Sequence, residues 1–359
     1  MANRVFNFNP GPGTLPLEVL QTIQQELLDY RGTGMSVMEM SHRSPEYDDI
    51  NDTAMALVHE LLGLDDSYHV IFMGGGASTQ FALIPINFLK DGKTAAYVDT
   101  GEWAGKAIKE AKKVGNVHMA ASSRESNCDH IPDKFDIPSD AAYLHITSNN
   151  TIFGTQYQNF PDTGNVPLIC DMSSDIASRQ HDFSKFDMIY AGAQKNLGPS
   201  GVTLVIIKQS LLDKCADGNM TMFDYRTHAG KKSLFNTPPV FPIYVVKLVL
   251  EWVKKNGGLP GVEKINRAKK DTIYQLIDKY PDYYHGTVKP DSRSWMNITL
   301  RLPSEDLDKK FIAEAKAAGM VGLKGHRSVG GIRISTYNAM TMAGIEKLAA
   351  FMEDFKKAN

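Results

Sequence analysis

The amino-acid sequence predicts an α/β protein: a mostly parallel sheet of the seven-stranded type in a large domain, followed by a smaller α+β C-terminal domain. Between residues 68 and 207, short apolar runs alternate with helical patterns, which is typical of strands joined by helices. The runs are apolar throughout, as in parallel strands covered on both faces. Beyond residue 258 the order changes to helix, strand, helix, strand and helix, which predicts the second domain.

The elements follow in chain order. Residues 9–16 form a proline- and glycine-rich extended segment, and helical spacing covers 17–30 and 48–62. Predicted strands cover 68–73, 94–98, a short run near Val117, 141–146, 166–170, 188–191 and 202–207, with helices at 79–89 and 102–114. The last two strands are joined by GAQKNLGPSG without a helix, so one of them is expected to run antiparallel.

The second half of the chain continues with a long helix that stops at Gly257, where glycine accepts the left-handed conformation. The following elements are a helix at 261–279, a strand at 295–302, a helix at 306–318, a strand at 331–335 and a terminal helix. We therefore expect three parts: an extended segment, 1–16, that packs near the site or the small domain; a large cofactor domain, 17–258; and a small domain, 259–359.

Composition excludes several classes of function. The chain of 359 residues carries 39 basic and 41 acidic residues, without the basic excess of a nucleic-acid binder. Its three cysteines form no CxxC pair, so neither a disulfide framework nor a metal site is expected. The N-terminal residues lack the apolar core of a signal peptide, and charged residues interrupt the apolar stretch 239–253. We expect a cytoplasmic protein that binds small molecules and neither membranes nor nucleic acid.

Three features carry candidate chemistry. Gly74–Gly76 separates a predicted strand from a helix, where backbone amides bind phosphate, although a tight turn alone would need the same glycines. Asp171 ends a strand, where it either meets a ligand or caps the next turn. Lys195 follows another strand among small residues, so it is either a solvated surface residue or a desolvated nucleophile. On one sheet edge, the three would hold pyridoxal 5'-phosphate, with lysine as the imine and aspartate at the ring nitrogen.

Longer motifs make this interpretation specific. In order, the chain contains SVMEMSHRSPEY, FMGGGASTQF, YAGAQKNLGPSG, FNTPP and LKGHRSVGGIRISTYNAM. From FNFNPGP to the final helix it resembles the phosphoserine aminotransferases, class-V aminotransferases with the aspartate-aminotransferase fold (fold type I of pyridoxal-phosphate enzymes). The resemblance implies reversible transamination between L-glutamate and 3-phosphohydroxypyruvate in serine biosynthesis, through an aldimine on Lys195, in a homodimer with shared active sites. It leaves open whether the chain also makes 4-phosphohydroxy-L-threonine for vitamin B6 synthesis.

The resemblance also implies a role for individual residues. Lys195 and Asp171 are the catalytic pair. The expected cofactor-binding residues are Gly76, Ala77, Ser78, Trp103, Thr151, Asp171, Gln194 and Lys195, joined by Asn236 and Thr237 from the partner subunit. The expected substrate-binding residues are His42, Arg43, His326, Arg327 and Arg333, a cationic set suited to a substrate with a phosphate and a carboxylate. Arg333 would hold the α-carboxylate, and His42 and Arg43 would reach across from the partner.

Other functions remain as alternatives. A fold-type-I aminotransferase for a small unphosphorylated substrate would not need His326 and Arg327. A non-catalytic regulator that only binds the cofactor would not need both Lys195 and Asp171. A cysteine desulfurase is disfavoured because the last cysteine, Cys215, lies well before the C-terminal region, and a hydrolase because the chain lacks a GxSxG elbow.

Overall fold

The computed structural model describes residues 4–90 and 92–359. Its strands are β1 (Phe6–Asn7), β2 (Tyr68–Met73), β3 (Thr94–Asp99), β4 (Asn116–Ser122), β5 (Leu144–Thr147), β6 (Leu168–Asp171), β7 (Met188–Gly192), β8 (Thr203–Lys208), β9 (His285–Gly286), β10 (Asn297–Arg301), β11 (Met320–Val321) and β12 (Ile332–Ser335). Its α-helices are α1 (Leu17–Glu26), α2 (Pro45–Leu62), α3 (Gly76–Phe88), α4 (Glu102–Ala111), α5 (Gln209–Leu212), α6 (Tyr225–Ala229), α7 (Val240–Lys255), α8 (Gly258–Lys279), α9 (Glu305–Ala317) and α10 (Met342–Ala358).

A seven-stranded sheet forms the centre of the molecule, in the order β2-β8-β7-β6-β5-β3-β4. Strand β8 runs antiparallel to both of its neighbours, and the other pairs are parallel. This confirms both the predicted sheet and its one reversed strand. The buried side chains of the strands alternate between two hydrophobic clusters, one on each face, as expected for a sheet that helices cover on both sides.

The sheet topology brings three connections to one edge. Strands β5, β6 and β7 are parallel neighbours, with Thr147 opposite Asp171 and Asp171 opposite Tyr190. Their carboxyl ends therefore lie side by side. The loop after β5, the loop after Asp171 and the turn that carries Lys195 all leave the sheet at this edge, next to the turn between β2 and α3.

The C-terminal residues surround a third hydrophobic cluster. A three-stranded antiparallel sheet, β12-β10-β9, packs with α8, α9 and α10. The N-terminal strand β1 pairs in parallel with β11, and the Phe8 ring is buried in the same cluster. The N-terminal segment is thus anchored to the C-terminal part of the chain before it crosses toward the large sheet.

Helix α1 ends at Glu26, whereas the periodicity predicted a helix to residue 30. The Asp29 carboxylate accepts a hydrogen bond of 2.8 Å from the Gly34 amide, and Arg31 and Gly32 have left-handed backbones with φ of 50° and 81°. This turn competes with the helix, because the carboxylate satisfies the Gly34 amide in a non-helical geometry. Leu28, which the periodicity placed in the helix, is 84% exposed.

The structure also bears on membranes. Within residues 4–90 and 92–359, we find no helix with the length and apolar character that a bilayer crossing requires.

Candidate active site

The turn between β2 and α3 leaves helix amides open toward the sheet edge. Gly75 precedes the helix with φ of +89°, and an added Cβ would lie 1.9 Å from the Thr79 hydroxyl, so only glycine fits there. Gly76, Ala77 and Ser78 form the first helical turn, whose amides have no partner within the helix. An added Cβ at Gly76 would meet nothing within 4 Å. The turn is therefore a helix N-terminus with room for an anion.

Asp171 ends β6 and is 4% exposed. Its Oδ1 accepts a hydrogen bond of 2.9 Å from the Ser173 amide, so the carboxylate does cap the next turn. Burial raises the pKa of Asp171, while the Ser173 hydroxyl, the Lys195 cation and the Tyr190 hydroxyl oppose that increase. The Ser173 amide thus fixes one carboxylate oxygen, and the neighbouring groups offset part of the effect of burial on the pKa.

Two residues that support Asp171 were not predicted. The Ser173 hydroxyl accepts a hydrogen bond of 3.0 Å from the Gly192 amide and so joins the Asp171 loop to β7. The Tyr190 hydroxyl is 2.9 Å from Nε2 of the buried His145. An Asp followed two residues later by Ser is a recognisable turn pattern, so Ser173 had a signal in the sequence. Tyr190 had none, because only the strand register brings it opposite Asp171.

Lys195 reaches the same edge from the turn between β7 and β8. Its Nζ donates a hydrogen bond of 2.6 Å to the Thr151 hydroxyl and lies 5.5 Å from the centre of the Trp103 ring. Burial lowers the pKa of the Lys195 amine to about 8, and the cation of Arg333 acts in the same direction. The lysine is half-buried, so its amine is partly desolvated rather than a solvated surface group.

Arg333 is a buried arginine without a carboxylate partner in the described residues. It lies on β12 and is 6% exposed. One guanidinium nitrogen donates a hydrogen bond of 3.2 Å to the Thr151 carbonyl oxygen, and Nε has no partner in the described structure. Burial lowers the pKa of Arg333. A desolvated guanidinium in this state is a strong site for an incoming carboxylate.

The loop before β12 brings two further predicted residues to Arg333. The His326 Nδ1 is 2.7 Å from the Ser328 hydroxyl. Burial lowers the pKa of His326, and the cations of Arg333 and Arg327 lower it further, so these three side chains share one region. A cavity of about 600 Å³ opens there, with Arg333 in its wall. Lys195 and Arg333 both hydrogen-bond Thr151, whereas the wall of the cavity includes neither Lys195 nor His326 nor Arg327.

The N-terminal segment closes the site from another side. The Gly13 amide donates a hydrogen bond of 2.7 Å to the Gln194 carbonyl oxygen, and the Tyr337 hydroxyl donates one of 2.5 Å to the Pro10 carbonyl oxygen. A Cβ at Gly13 would lie 2.9 Å from both the Lys195 carbonyl oxygen and the Tyr337 ring. The segment therefore packs directly over the turn that carries Lys195.

Four predicted site residues stay outside this arrangement within one chain. His42 and Arg43 precede α2, and Asn236 and Thr237 precede α7. Among the described residues, none of the four makes a hydrogen bond or an ion pair with the Lys195 group. Within residues 4–90 and 92–359, the Asn236 side chain bonds only the Thr237 carbonyl oxygen, and both residues are exposed.

Comparisons with known proteins identify the family of the chain. Residues 5–348 match the family described as aminotransferase class-V. A phosphoserine aminotransferase from Desulfatibacillum aliphaticivorans is 55% identical, covering 100% of both chains. The solved phosphoserine aminotransferase from Bacillus circulans subsp. alkalophilus superposes with a TM-score of 0.98 at 53% identity, covering 99% of each chain. A PLP-bound phosphoserine aminotransferase from Trichomonas vaginalis has a TM-score of 0.92 at 35% identity, covering 98% of this chain and 100% of its own. The chain therefore belongs to the class-V aminotransferases and, within them, to the phosphoserine aminotransferase family.

Proposed function

We propose that this chain transfers the amino group of L-glutamate to 3-phosphohydroxypyruvate, reversibly, to give O-phospho-L-serine and 2-oxoglutarate with pyridoxal 5'-phosphate on Lys195. The observation that carries the proposal is the Arg333 guanidinium, buried beside Lys195 without an acidic partner in the described structure. Both amino-acid substrates and both keto acids have a carboxylate that such a cation binds. The family to which the chain belongs supports the same reaction.

The residues present fit the cofactor. The open α3 N-terminus at Gly76, Ala77 and Ser78 suits its phosphate, because helix amides bind anions. Asp171 keeps one carboxylate oxygen on the Ser173 amide, which leaves the other for the pyridinium nitrogen. The centre of the Trp103 ring lies 5.5 Å from Lys195 Nζ, so the ring could stack on a cofactor bound to that amine. Gln194 and Thr151 complete the proposed set.

The bound cofactor supplies an electron sink for the substrate α-carbon. The side chains of this protein provide the rest. Arg333 binds the α-carboxylate and so fixes the α-carbon relative to Lys195. Burial lowers the pKa of Lys195 to about 8, which raises the fraction of neutral amine. In this form Lys195 would take the proton from the substrate α-carbon and return it to the cofactor carbon. Asp171 as an anion keeps the ring nitrogen protonated.

The substrate phosphate is the second anionic group to accommodate. His326 and Arg327 lie in the loop that leads into β12, the strand of Arg333, and they would bind the phosphate of one substrate or the distal carboxylate of glutamate. His42 and Arg43 would complete this subsite from a second copy of the chain. An aminotransferase for a small unphosphorylated substrate would have no use for this many cations.

The assay that tests the proposal compares keto acids at equal concentration. We expect the holoenzyme with L-glutamate to form 2-oxoglutarate rapidly with 3-phosphohydroxypyruvate and slowly with pyruvate or glyoxylate. A preference for the unphosphorylated keto acids would contradict the proposal. The same assay with the phosphorylated four-carbon keto acid tests the synthesis of 4-phosphohydroxy-L-threonine, which stays a prediction.

We also propose that the active unit is a homodimer with shared sites. The exposed apolar side chains Leu28, Met38 and Phe235 lie near the chain segments of His42–Arg43 and Asn236–Thr237, which supports an interface there. We further propose a cytoplasmic location, which the unpaired state of all three cysteines supports. The division into 1–16, 17–258 and 259–359 also stays a proposal; the separate hydrophobic cluster of the C-terminal residues supports it.

Mixing two inactive variants tests the shared site. Lys195→Ala and Arg43→Ala each damage a different half of it. If Arg43 acts across the dimer, refolding an equal mixture restores about a quarter of wild-type activity, because half of the dimers are mixed and each has one intact site. If Arg43 acts within its own chain, every site keeps one defect and the mixture stays at the level of the separate variants. Activity of the mixture, with each variant alone as control, decides between these outcomes.

A further inference from the structure

Lys269, in the middle of α8, is a buried lysine to which the reaction above gives no role. It is 0% exposed, and its Nζ donates hydrogen bonds of 2.8 Å to the Thr336 carbonyl oxygen and 2.7 Å to that of Tyr337. A third carbonyl oxygen, that of Asn338, lies at 3.4 Å. No carboxylate pairs with the amine in the part of the chain that the structure describes. Burying an amine is costly unless hydrogen bonds or an opposite charge compensate for the lost water. The carbonyl oxygens are the compensating groups here, so the amine holds them in a fixed position.

The carbonyl groups that Lys269 binds follow directly after β12, the strand of Arg333. Tyr337 lies close enough to Arg333 for each to affect the pKa of the other. The Tyr337 hydroxyl donates a hydrogen bond to the Pro10 carbonyl oxygen and accepts one of 3.2 Å from the side-chain amide of Asn297. The backbone that Lys269 fixes therefore carries a side chain that borders Arg333 and the N-terminal segment over the site.

Asn338 extends the connection to the large domain. Its amide donates a hydrogen bond of 3.0 Å to Oδ1 of Asn196, the residue after Lys195. Its side chain donates one of 2.8 Å to the Ala177 carbonyl oxygen and accepts one of 2.8 Å from Asn266, one turn before Lys269 on α8. Residues 336–338 thus join the strand of Arg333 to the loops that follow Asp171 and Lys195.

We propose that Lys269 is a positioning residue for recognition of the substrate carboxylate: its amine fixes residues 336–338, and through them the distance between Arg333 and Lys195. The inference rests on the proposed function, because it concerns the carboxylate that Arg333 would bind. The shorter bonds go to residues 336 and 337, so loss of the amine disturbs the Arg333 side more than Asn196. Loss of the amine should therefore weaken substrate binding more than it slows the proton transfers.

The test replaces Lys269 with methionine, which keeps the length of the side chain and removes its donors. Lys247→Met is the matched control, since Lys247 is 2% exposed but its Nζ pairs with Glu251 in its own helix at 2.8 Å. With holoenzyme, we expect Lys269→Met to raise KM for L-glutamate at least about tenfold and to change kcat less than about threefold, with an unchanged visible absorption spectrum of the bound cofactor. Lys247→Met should leave KM unchanged.

A second variant, Lys269→Gln, keeps two donors on a shorter side chain and should give an intermediate KM. A KM equal to that of the wild type in folded Lys269→Met overturns the proposal. So does failure of both variants to fold while Lys247→Met folds, because Lys269 would then act on stability alone. The wild-type assay distinguishes failure of the proposed function from failure of the Lys269 proposal. Inactivity of the wild type with glutamate refutes the proposed function, whereas an active wild type with unaffected variants refutes only the role of Lys269.

Discussion

Lys195→Ala should reduce kcat by at least about 10³-fold, because it removes both the covalent link to the cofactor and the base that moves the α-proton; acid–base catalysis alone contributes about 10²–10⁴-fold. The purified variant should also lack the visible absorption band that the wild type shows with pyridoxal phosphate. Steady-state rates with glutamate and 3-phosphohydroxypyruvate, together with the absorption spectrum, measure both effects. The loss should be specific to Lys195: Lys106 Nζ also lies 4.4 Å from the centre of the Trp103 ring, but only Lys195 among the described lysines donates a hydrogen bond to the Thr151 hydroxyl.

Lys195→Arg is the informative control. Arginine keeps a cation near Asp171 and Thr151 but forms no imine, so it separates the charge of the residue from its nucleophilicity. We expect it to be as inactive as the alanine variant while remaining folded by circular dichroism. Turnover near the wild-type rate in either variant would remove Lys195 from the reaction and would leave the desolvated amine without a role.

The sheet was predictable because its strands are buried on both faces. Continuous apolar runs then distinguish strands from surface helices, and a connection too short for a helix indicated that β8 reverses. The two-residue pair of β1 with β11 had no comparable signal, since short strands have no period to read. The end of α1 was missed for a different reason: Asp29 satisfies backbone amides in a turn, and tertiary context there outweighs helical spacing.

The site divides in the same way. The position of Asp171 and Lys195 at one edge of the sheet was predictable, because parallel topology brings the carboxyl ends of the strands together. Arg333 could be assigned only through the family resemblance, since nothing local to β12 shows that its guanidinium reaches the Thr151 carbonyl oxygen. Tyr337 and Lys269 escaped notice because their partners lie in distant parts of the sequence. Long-range polar contacts of this kind leave no periodic or compositional pattern.

Arg333→Ala should lower kcat/KM for glutamate by about 30-fold to about 4 × 10³-fold, since truncating one partner of a buried charge pair costs about 2–5 kcal/mol and about 1.4 kcal/mol corresponds to a factor of ten. Most of the loss should be in KM, because the guanidinium binds the carboxylate both before and during the proton transfers. The cofactor spectrum should stay close to that of the wild type, since no cofactor contact is assigned to this residue. Initial rates across a glutamate series, measured with saturating keto acid, give both constants.

Two further variants decide whether the effect comes from geometry or from charge alone. Arg333→Lys keeps the charge but loses the two-pronged hydrogen bonding of a guanidinium, so we expect it to recover only a small part of the lost affinity. Arg293→Ala is the matched control, because the charge of Arg293 is already paired with Asp278 through two nitrogens at 2.6 and 2.7 Å. Full recovery in Arg333→Lys would show that a point charge suffices. An effect of Arg293→Ala as large as that of Arg333→Ala would mean that the loss reflects general destabilisation, and the assignment of the carboxylate to Arg333 would then be wrong.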